Sequence, residues 1–357
     1  GMGGLAAAGA LAPHFDRVSV LERDHLPAEP GQRLGAPQGR HVHALLTAGQ
    51  RALEGLYPGF TDAIVEAGAV AAHANSDTRV EMPGYDPFPQ RDFGWRTYCL
   101  SRPLIEFTVR RLAQERGVEF HPRQRVRRLE TSEDGAAIAA VHFEGDDGKT
   151  ERLAADVIID ATGRAHPTLD LLKALDRPAP PETVIGVDFA YASAVFEIPP
   201  GLSSDWKIVM TMPKAGEGTG GGLLAPIEHG RWIVSLGGRQ EDAPPDDEAG
   251  YLEFARGLRT QTIYNAIKNA KREGEIARFG FRESAWRHFE QLAPLPRGLL
   301  PFADSICRFN PVYGQGMSVA ALEAALLPRL LAEAAGKPDP LADLSHRFLT
   351  EAQAVID

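Results

Sequence analysis

The opening segment, GMGGLAAAGALA, limits the fold more than any other stretch of the chain. Gly1, Gly3 and Gly4 carry no side chain, and Ala6, Ala7, Ala8 and Ala10 carry only a methyl. A helix start this bare lets a sheet, or an anion at the free N–H groups of the first turn, come close to the backbone. The spacing fits the back half of a G-x-G-x-x-G turn, with Gly1 as its second glycine and Gly4 as its third. On that reading the first glycine and the strand before it are missing, and the chain is a fragment. The plain alternative is a surface helix. HFDRVSVLERD follows, in which Val18, Val20 and Leu21 make a short β-type run ending at Glu22 and Arg23. Helix, buried parallel strand and terminal acid, in that order, are what a dinucleotide fold requires. Glu22 fits the slot that accepts hydrogen bonds from a ribose diol; otherwise it is a solvated acid in a charged turn.

Composition removes several classes. A length of 357 residues suffices for two interleaved domains. A net charge of −10 with no Lys/Arg block argues against a nucleic-acid surface. Cys99 and Cys307 are the only cysteines, so no disulfide framework or zinc spacing can be built and a cytoplasmic location is the expectation. His41-x-His43 lacks a third metal ligand at usable spacing, so no metal is expected. No apolar run reaches the roughly 18–20 residues of a transmembrane segment.

Further along, Gly31, Gly35, Pro37 and Gly39 form a loop carrying Arg33, Arg40, His41 and His43. These cations suit a diphosphate or simply make a solvated basic loop. From Val42 the apolar spacing through Leu45, Leu46, Ala52, Leu53 and Leu56 predicts a helix. A second helix starts at Ser101 as N-cap with Pro103 in its first turn and stops at Gly117. Arg102 at its N-terminal end is misplaced for the helix dipole, so it answers either a bound anion or a local acid such as Glu106. QRVRRLET, AAIAAVHFEG and TERLAA, separated by turns containing Asp-Gly, read as a three-stranded meander. In DVIIDATG a buried strand runs into small residues, and Gly163 marks a close backbone approach.

Residues 176–295 hold long strand-like runs with aromatics, and helical segments near 249–272. They read as a mostly antiparallel sheet domain that the stretch 58–98 joins. Phe189, Tyr191, Phe196, Trp206, Trp232 and Trp95 either wall an apolar pocket or fill an ordinary core. Near the end, a short strand from Leu299 to Phe302 is followed by Asp304. NPVYGQGMS then opens another helix, with Pro311 and the bare amides of Gly314, Gln315, Gly316 and Met317.

Taken in order, GMGGLAAAGAL…VLERD, RLGAPQG, DVIIDATG and ADSICRFNPVYGQGMSVAALEA cover most of the chain. Together they resemble the class A flavoprotein monooxygenases, the p-hydroxybenzoate hydroxylase-like group. APQGRHVHALL and FNPVYGQGMSVAALEA look most like a bacterial branch that includes polyketide epoxidases. The resemblance implies an α/β fold: a Rossmann-like FAD-binding domain (1–57, 99–175 and 296–357) interleaved with a mostly antiparallel substrate domain (58–98 and 176–295). It implies FAD, NAD(P)H as reductant, O2 as oxidant and a small apolar organic substrate that is hydroxylated or epoxidised. By position, Glu22 would bind the adenosine ribose, Arg33 and Arg102 would contact FAD, and Asp304 would meet the ribityl chain. Pro311 and Gly314 to Met317 would flank the isoalloxazine. Ala303-Asp304 stands where the group usually has Gly-Asp, and Thr162-Gly163 where its middle motif has Asp-Gly. No catalytic side chain is assigned. A flavin reductase or dehydrogenase on the same fold, such as an isoprenoid-saturating enzyme, and a non-catalytic flavin- or ligand-binding protein are the alternatives.

Overall fold

The computed structural model describes residues 1–214 and 216–357. The chain begins with α1 (Met2–Leu11), β1 (Ser19–Glu22), α2 (Thr47–Leu56), α3 (Phe60–Glu66), β2 (Val70–His73), β3 (Thr78–Glu81) and β4 (Arg96–Cys99). It continues with α4 (Arg102–Glu115), β5 (Glu119–Pro122), the meander β6 (Arg125–Thr131), β7 (Ile138–Glu144) and β8 (Thr150–Ala154), then β9 (Ile158–Asp160) and α5 (His166–Ala174). The large sheet and its cover follow as β10 (Glu182–Glu197), β11 (Ile208–Thr211), β12 (Gly221–Ile227), β13 (Arg231–Arg239), α6 (Glu248–Gly257), α7 (Thr262–Ile267) and β14 (Arg272–Arg287). The chain closes with β15 (Leu299–Pro301), β16 (Cys307–Arg308), α8 (Gly316–Ala334) and α9 (Leu344–Ile356). The fold is mixed α/β. Among the described residues no helix is long and apolar enough to cross a membrane.

α1 buries nearly its whole circumference, from Met2 and Leu5 through Ala6, Ala7 and Ala8 to Leu11. A helix without a polar face has to sit inside the molecule. Small residues bring its neighbours close: a Cβ on Gly9 would meet the Tyr57 ring at 2.4 Å, and the Tyr57 hydroxyl donates to the Leu5 carbonyl at 2.5 Å. A Cβ on Gly3 would lie 2.8 Å from the Ala303 Cβ. Gly3→Val is therefore expected to cost about 1–3 kcal/mol in denaturant unfolding. Gly55, whose Cβ would meet nothing within 4 Å, is the control. Gly55→Ala should be neutral or stabilising by up to about 1 kcal/mol. Equal effects of the two substitutions would contradict this packing.

Two pairs of parallel strands stand apart from the large sheet. β1 pairs with β5 and ends at Glu22 opposite Pro122; β9 pairs with β15 and ends at Asp160 opposite Pro301. Ligands of open α/β sheets bind outside such carboxyl ends. The second half is a seven-stranded sheet in the order β16-β14-β10-β13-β12-β11-β3, antiparallel except where β11 meets β3. Alternation along β10 sorts the aromatics. Ala192, Ala194 and Phe196 face α6 and α7, in a core with Trp232 and Tyr251 that Trp206 packs against. Tyr191 and Ser193 face His41 on the other side of the sheet. Trp95 is exposed.

Three sequence expectations change. The helix expected from Val42 begins only at Thr47. The Val42 amide donates to Ser235 Oγ and the Leu46 amide to Ser318 Oγ, each at 3.0 Å, so tertiary bonds override the local apolar spacing. The strand β14 was not foreseen, because its sequence REGEIARFGFRESAWR is charged and half exposed along both faces. The stretch 58–98 divides: Phe60 and Ile64 of α3 enter the same core as α1 and α4, whereas β3 joins the large sheet.

Candidate functional site

The groove is built where these strand ends and two helix starts meet. Neither α1, capped by Gly1, nor α8, capped by Gln315, has a side-chain hydrogen bond at its N-cap. Their first-turn N–H groups are therefore free for an external acceptor. The Gly3 neighbour Ala303 ties the start of α1 to the turn that carries Asp304. A Cβ on Gly163 would lie 3.8 Å from the Asp304 Cβ, and a Cβ on Gly316 would lie 4.0 Å from Asp304 Oδ1. Gly163 (φ +81°) and Gly314 (φ +64°) adopt the left-handed conformation that favours glycine, and the Gly163 amide donates to Ser305 Oγ at 3.2 Å. Gly4 packs on Ala161 and Gly314 on Ala44, while Gly3, Gly163 and Gly316 thus converge on the Ala303-Asp304 turn. Met317 is buried behind it, and Pro311 opens the short turn Pro311–Tyr313.

Asp304 has two properties that define its place. Protein crowds it from most directions, and that desolvation raises its carboxyl pKa against the opposing pull of Arg102 and Arg308. Its surface nevertheless remains open to water. A carboxylate that is surrounded yet reachable sits in a recess of the surface. Glu323 of α8 is fully buried beneath it. Glu323 Oε2 accepts the Ala303 N–H at 2.8 Å, holding Ala303 at φ +54°, while Oε1 is buried without a partner. This explains how alanine is tolerated where the group usually has glycine.

At the other end, Glu22 and the Gly1 nitrogen are 3.5 Å apart. Burial raises the Glu22 pKa, whereas Arg33 and the hydrogen bond from the Asp24 amide pull it down. Arg33 reaches Glu22 at 3.2 Å, Asp24 at 2.8 Å and Glu106 at 2.8 Å. Glu106 also takes Arg102 at 2.8 Å. Burial of Glu106 opposes ionisation, but Arg102 and Arg33 hold it far below the usual carboxylate range. The local-acid partner expected for Arg102 is therefore present. Arg102 is also close enough to act on Asp304, so this chain of charges connects the Glu22 end to the Asp304 end. A cleft of about 440 Å³, open to solvent, lies along Gly1, Glu22, Gly31, Arg33, Pro103 and Glu106.

The remaining candidates lie outside this arrangement. Arg23 projects outward, its side chain 63% exposed, with Asp24 4.0 Å away. Arg40 is exposed at the end of the turn Pro37–Arg40. Sequence reasoning missed Asp24 and Glu323. A lone acid in the otherwise apolar run VAALEAALL was the available signal for Glu323; nothing distinguished Asp24 from other surface acids.

The residues present fit a flavin dinucleotide. Free amides stand at two helix starts, an acid stands at each end, and Gly1 and Gly316 leave the space that side chains would fill. The same fold is found in solved flavin-dependent enzymes. Flavin-dependent brominase Bmp2 superposes with a TM-score of 0.72 at 15% identity, covering 99% of this chain and 81% of that one. PqsL of Pseudomonas aeruginosa in complex with 2-aminobenzoylacetate gives 0.70 at 18% identity, covering 100% and 91%. The myxobacterial chondrochloren halogenase CndH gives 0.70 at 20% identity, covering 99% and 76%. At these identities the likeness is one of fold. No model of a known protein family matches the chain. Protein Rv3254 of Mycobacterium tuberculosis is 31% identical over 359 aligned positions, spanning 96% of this chain and 74% of that protein, and the chain belongs to its family.

Proposed function

We propose that this chain binds FAD along the groove and acts as a monooxygenase, using NAD(P)H and O2 to hydroxylate or epoxidise a small apolar organic molecule. The observation that carries the reading is the meeting of two uncapped helix starts with Asp304 between them and Glu22 at the far end. FAD, when bound, supplies the electron transfer and oxygen activation. The chain's own residues bind and shelter it. Glu22 is set to accept from ribose hydroxyls, and Asp304 from a polyol hydroxyl. Gly1, Gly3 and Gly4 at one helix start, and Gly314, Gln315, Gly316 and Met317 at the other, offer backbone N–H groups to phosphate and ring oxygens. Arg33 and Arg102 fix the carboxylates between them, Gly163 lets the backbone approach, and Pro311 sets the turn beside the ring. Arg23 and Arg40 are left as peripheral cations.

The substrate is assigned to the sheet face that bears Tyr191. Tyr191 contacts both Phe189 and Phe279 there, with centroids 6.1 and 5.6 Å away. The Tyr191 ring meets His41 edge-on at 4.5 Å. Burial, with some help from Arg40, pushes the His41 pKa down to about 4, so this wall is uncharged at neutral pH. An apolar substrate matches it, and water is disfavoured. The wall supports the apolar-substrate reading and does not choose between hydroxylation and the epoxidase branch.

Three measurements test this. The purified full chain should be yellow, with flavin absorbance. It should oxidise NADH or NADPH faster when an apolar aromatic or alkene substrate is present. With isotope-labelled O2, one labelled oxygen should enter the product. Unlabelled, desaturated or saturated product would favour the reductase or dehydrogenase reading. Halogenated product appearing only with added halide would favour the chemistry named for two of the structural neighbours. A colourless protein that does not take up FAD would overturn the proposal.

A further inference from the structure

His43 sits at the seam of the groove. Its neighbour Ala44 touches the start of α8, where a Cβ on Gly314 would come within 3.0 Å of the Ala44 Cβ. Its ring is close enough to Arg102 and Glu106, at the start of α4, for both charges to act on it. The hydrogen bond it makes settles its tautomer. Nδ1 lies 3.0 Å from the His41 carbonyl oxygen. A carbonyl can only accept, so Nδ1 carries the hydrogen and Nε2 is left as a bare acceptor in the neutral ring. Neutrality is enforced: burial and the Arg102 guanidinium bring the pKa down to about 3.

Nε2 makes no hydrogen bond among the described residues, and it is not one of the buried unpartnered atoms. Like Asp304, His43 is crowded by protein while part of it stays open to water. The Ala44–Gly314 approach and the Arg102 charge that acts on both residues place His43 and Asp304 near the start of α8. An uncharged acceptor beside a guanidinium is a specific device. It can receive an N–H or O–H but cannot compete with Arg102 for an anion.

We propose that His43 is a further cofactor-binding residue, its Nε2 accepting a hydrogen bond from an N–H or hydroxyl of the flavin dinucleotide held between α4 and α8. This rests on the FAD reading above. No spacing motif marks the residue, and its cationic form, the natural expectation for a histidine in a basic loop, is the form that the site suppresses.

The test is FAD titration of the stripped full chain at pH 7.5, followed by flavin fluorescence, for the wild type, His43→Gln and His43→Phe. The glutamine amide oxygen reaches about as far as Nε2 and can accept in its place; phenylalanine keeps the ring and removes the acceptor. Phenylalanine is expected to weaken FAD binding about tenfold, the equivalent of one hydrogen bond at roughly 1.4 kcal/mol. Glutamine should stay within about threefold of wild type, since its acceptor replaces the lost one. Thermal midpoints of the stripped proteins, measured in parallel, report any packing loss. Wild-type affinity in the phenylalanine variant, or equal losses in both variants, overturns the role of His43. A wild-type chain that fails to bind FAD overturns the flavin reading, and this role with it.

Discussion

Arg33→Ala is expected to lower the unfolding free energy by about 3–5 kcal/mol at pH 7, the usual cost of leaving buried charge without its partner. The side chain is only 8% exposed and serves three carboxylates at once: Glu22, Asp24 and Glu106. Each of these acids is itself at most 15% exposed. Removing the guanidinium leaves Glu106 with Arg102 alone, and Asp24 with the Gly35 amide at 2.7 Å. Arg33→Lys should recover only part of the loss, since an ammonium is a point charge and cannot fork to three oxygens.

The pH dependence carries a sign. Glu22 and Glu106 have folded pKa values below their unfolded ones, near 4.3 for a free Glu. Their stabilisation is present above about pH 4.3 and is lost as pH falls through the folded values. Arg33 is the source of part of that stabilisation. The gap between wild type and Arg33→Ala in denaturant unfolding should therefore narrow as pH drops from 6 toward 3. A loss below about 1 kcal/mol, or a gap that ignores pH, would mean that the cluster behaves as solvated surface pairs.

That cluster also shows what the sequence could and could not disclose. The position of Glu22 at the end of β1 was legible from the short β-type run of Val18, Val20 and Leu21 before it. The meander was legible from its Asp-Gly turns, and α4 from Ser101, Pro103 and Gly117. These are local signals, confined to a few adjacent residues. Arg33 joins residues 9 and 73 positions away, at Asp24 and Glu106, and local pattern says nothing about such pairings. The same holds for residues 41–46. Their apolar spacing reads as helix, but hydrogen bonds to Ser235 and Ser318, about 193 and 272 positions distant, keep them extended. β14 escaped because a strand half exposed on both faces has no period of two to read. His43 was seen as a cation because its charge state depends on Arg102 and on burial, which only the folded chain supplies.

Glu323→Gln is expected to change the pH dependence of stability more than any other single substitution here. Glu323 is completely buried, and that desolvation, with Asp304 nearby adding to it, raises its pKa to about 8 despite the Ala303 N–H. Cys307 is the other titratable group that feels it. A carboxyl whose folded pKa lies above its unfolded value, near 4.3, favours the folded state fully at low pH. That contribution declines through the interval from about pH 4.3 to 8 and is gone above it. Each tenfold change in proton affinity is worth about 1.4 kcal/mol, so the decline amounts to several kcal/mol, on the order of 5. Glutamine supplies the same acceptor to the Ala303 amide and has no proton to lose. Unfolding curves of wild type and Glu323→Gln should therefore diverge from pH 5 to about pH 8, with glutamine gaining, and keep a constant gap from there to pH 9. Glu323→Ala separates charge from geometry: it removes the titration too, but it leaves the Ala303 amide without its acceptor and the left-handed turn without support. Its stability should be as flat with pH as that of the glutamine variant, and lower throughout. FAD affinity should fall in the alanine variant and hold in the glutamine one, since Asp304 is aimed by the turn that Glu323 braces. Wild-type and glutamine curves that run parallel from pH 5 to 9 would show that Glu323 does not carry a proton at neutral pH, and the buried acid would then need a counter-charge that no neighbouring residue provides.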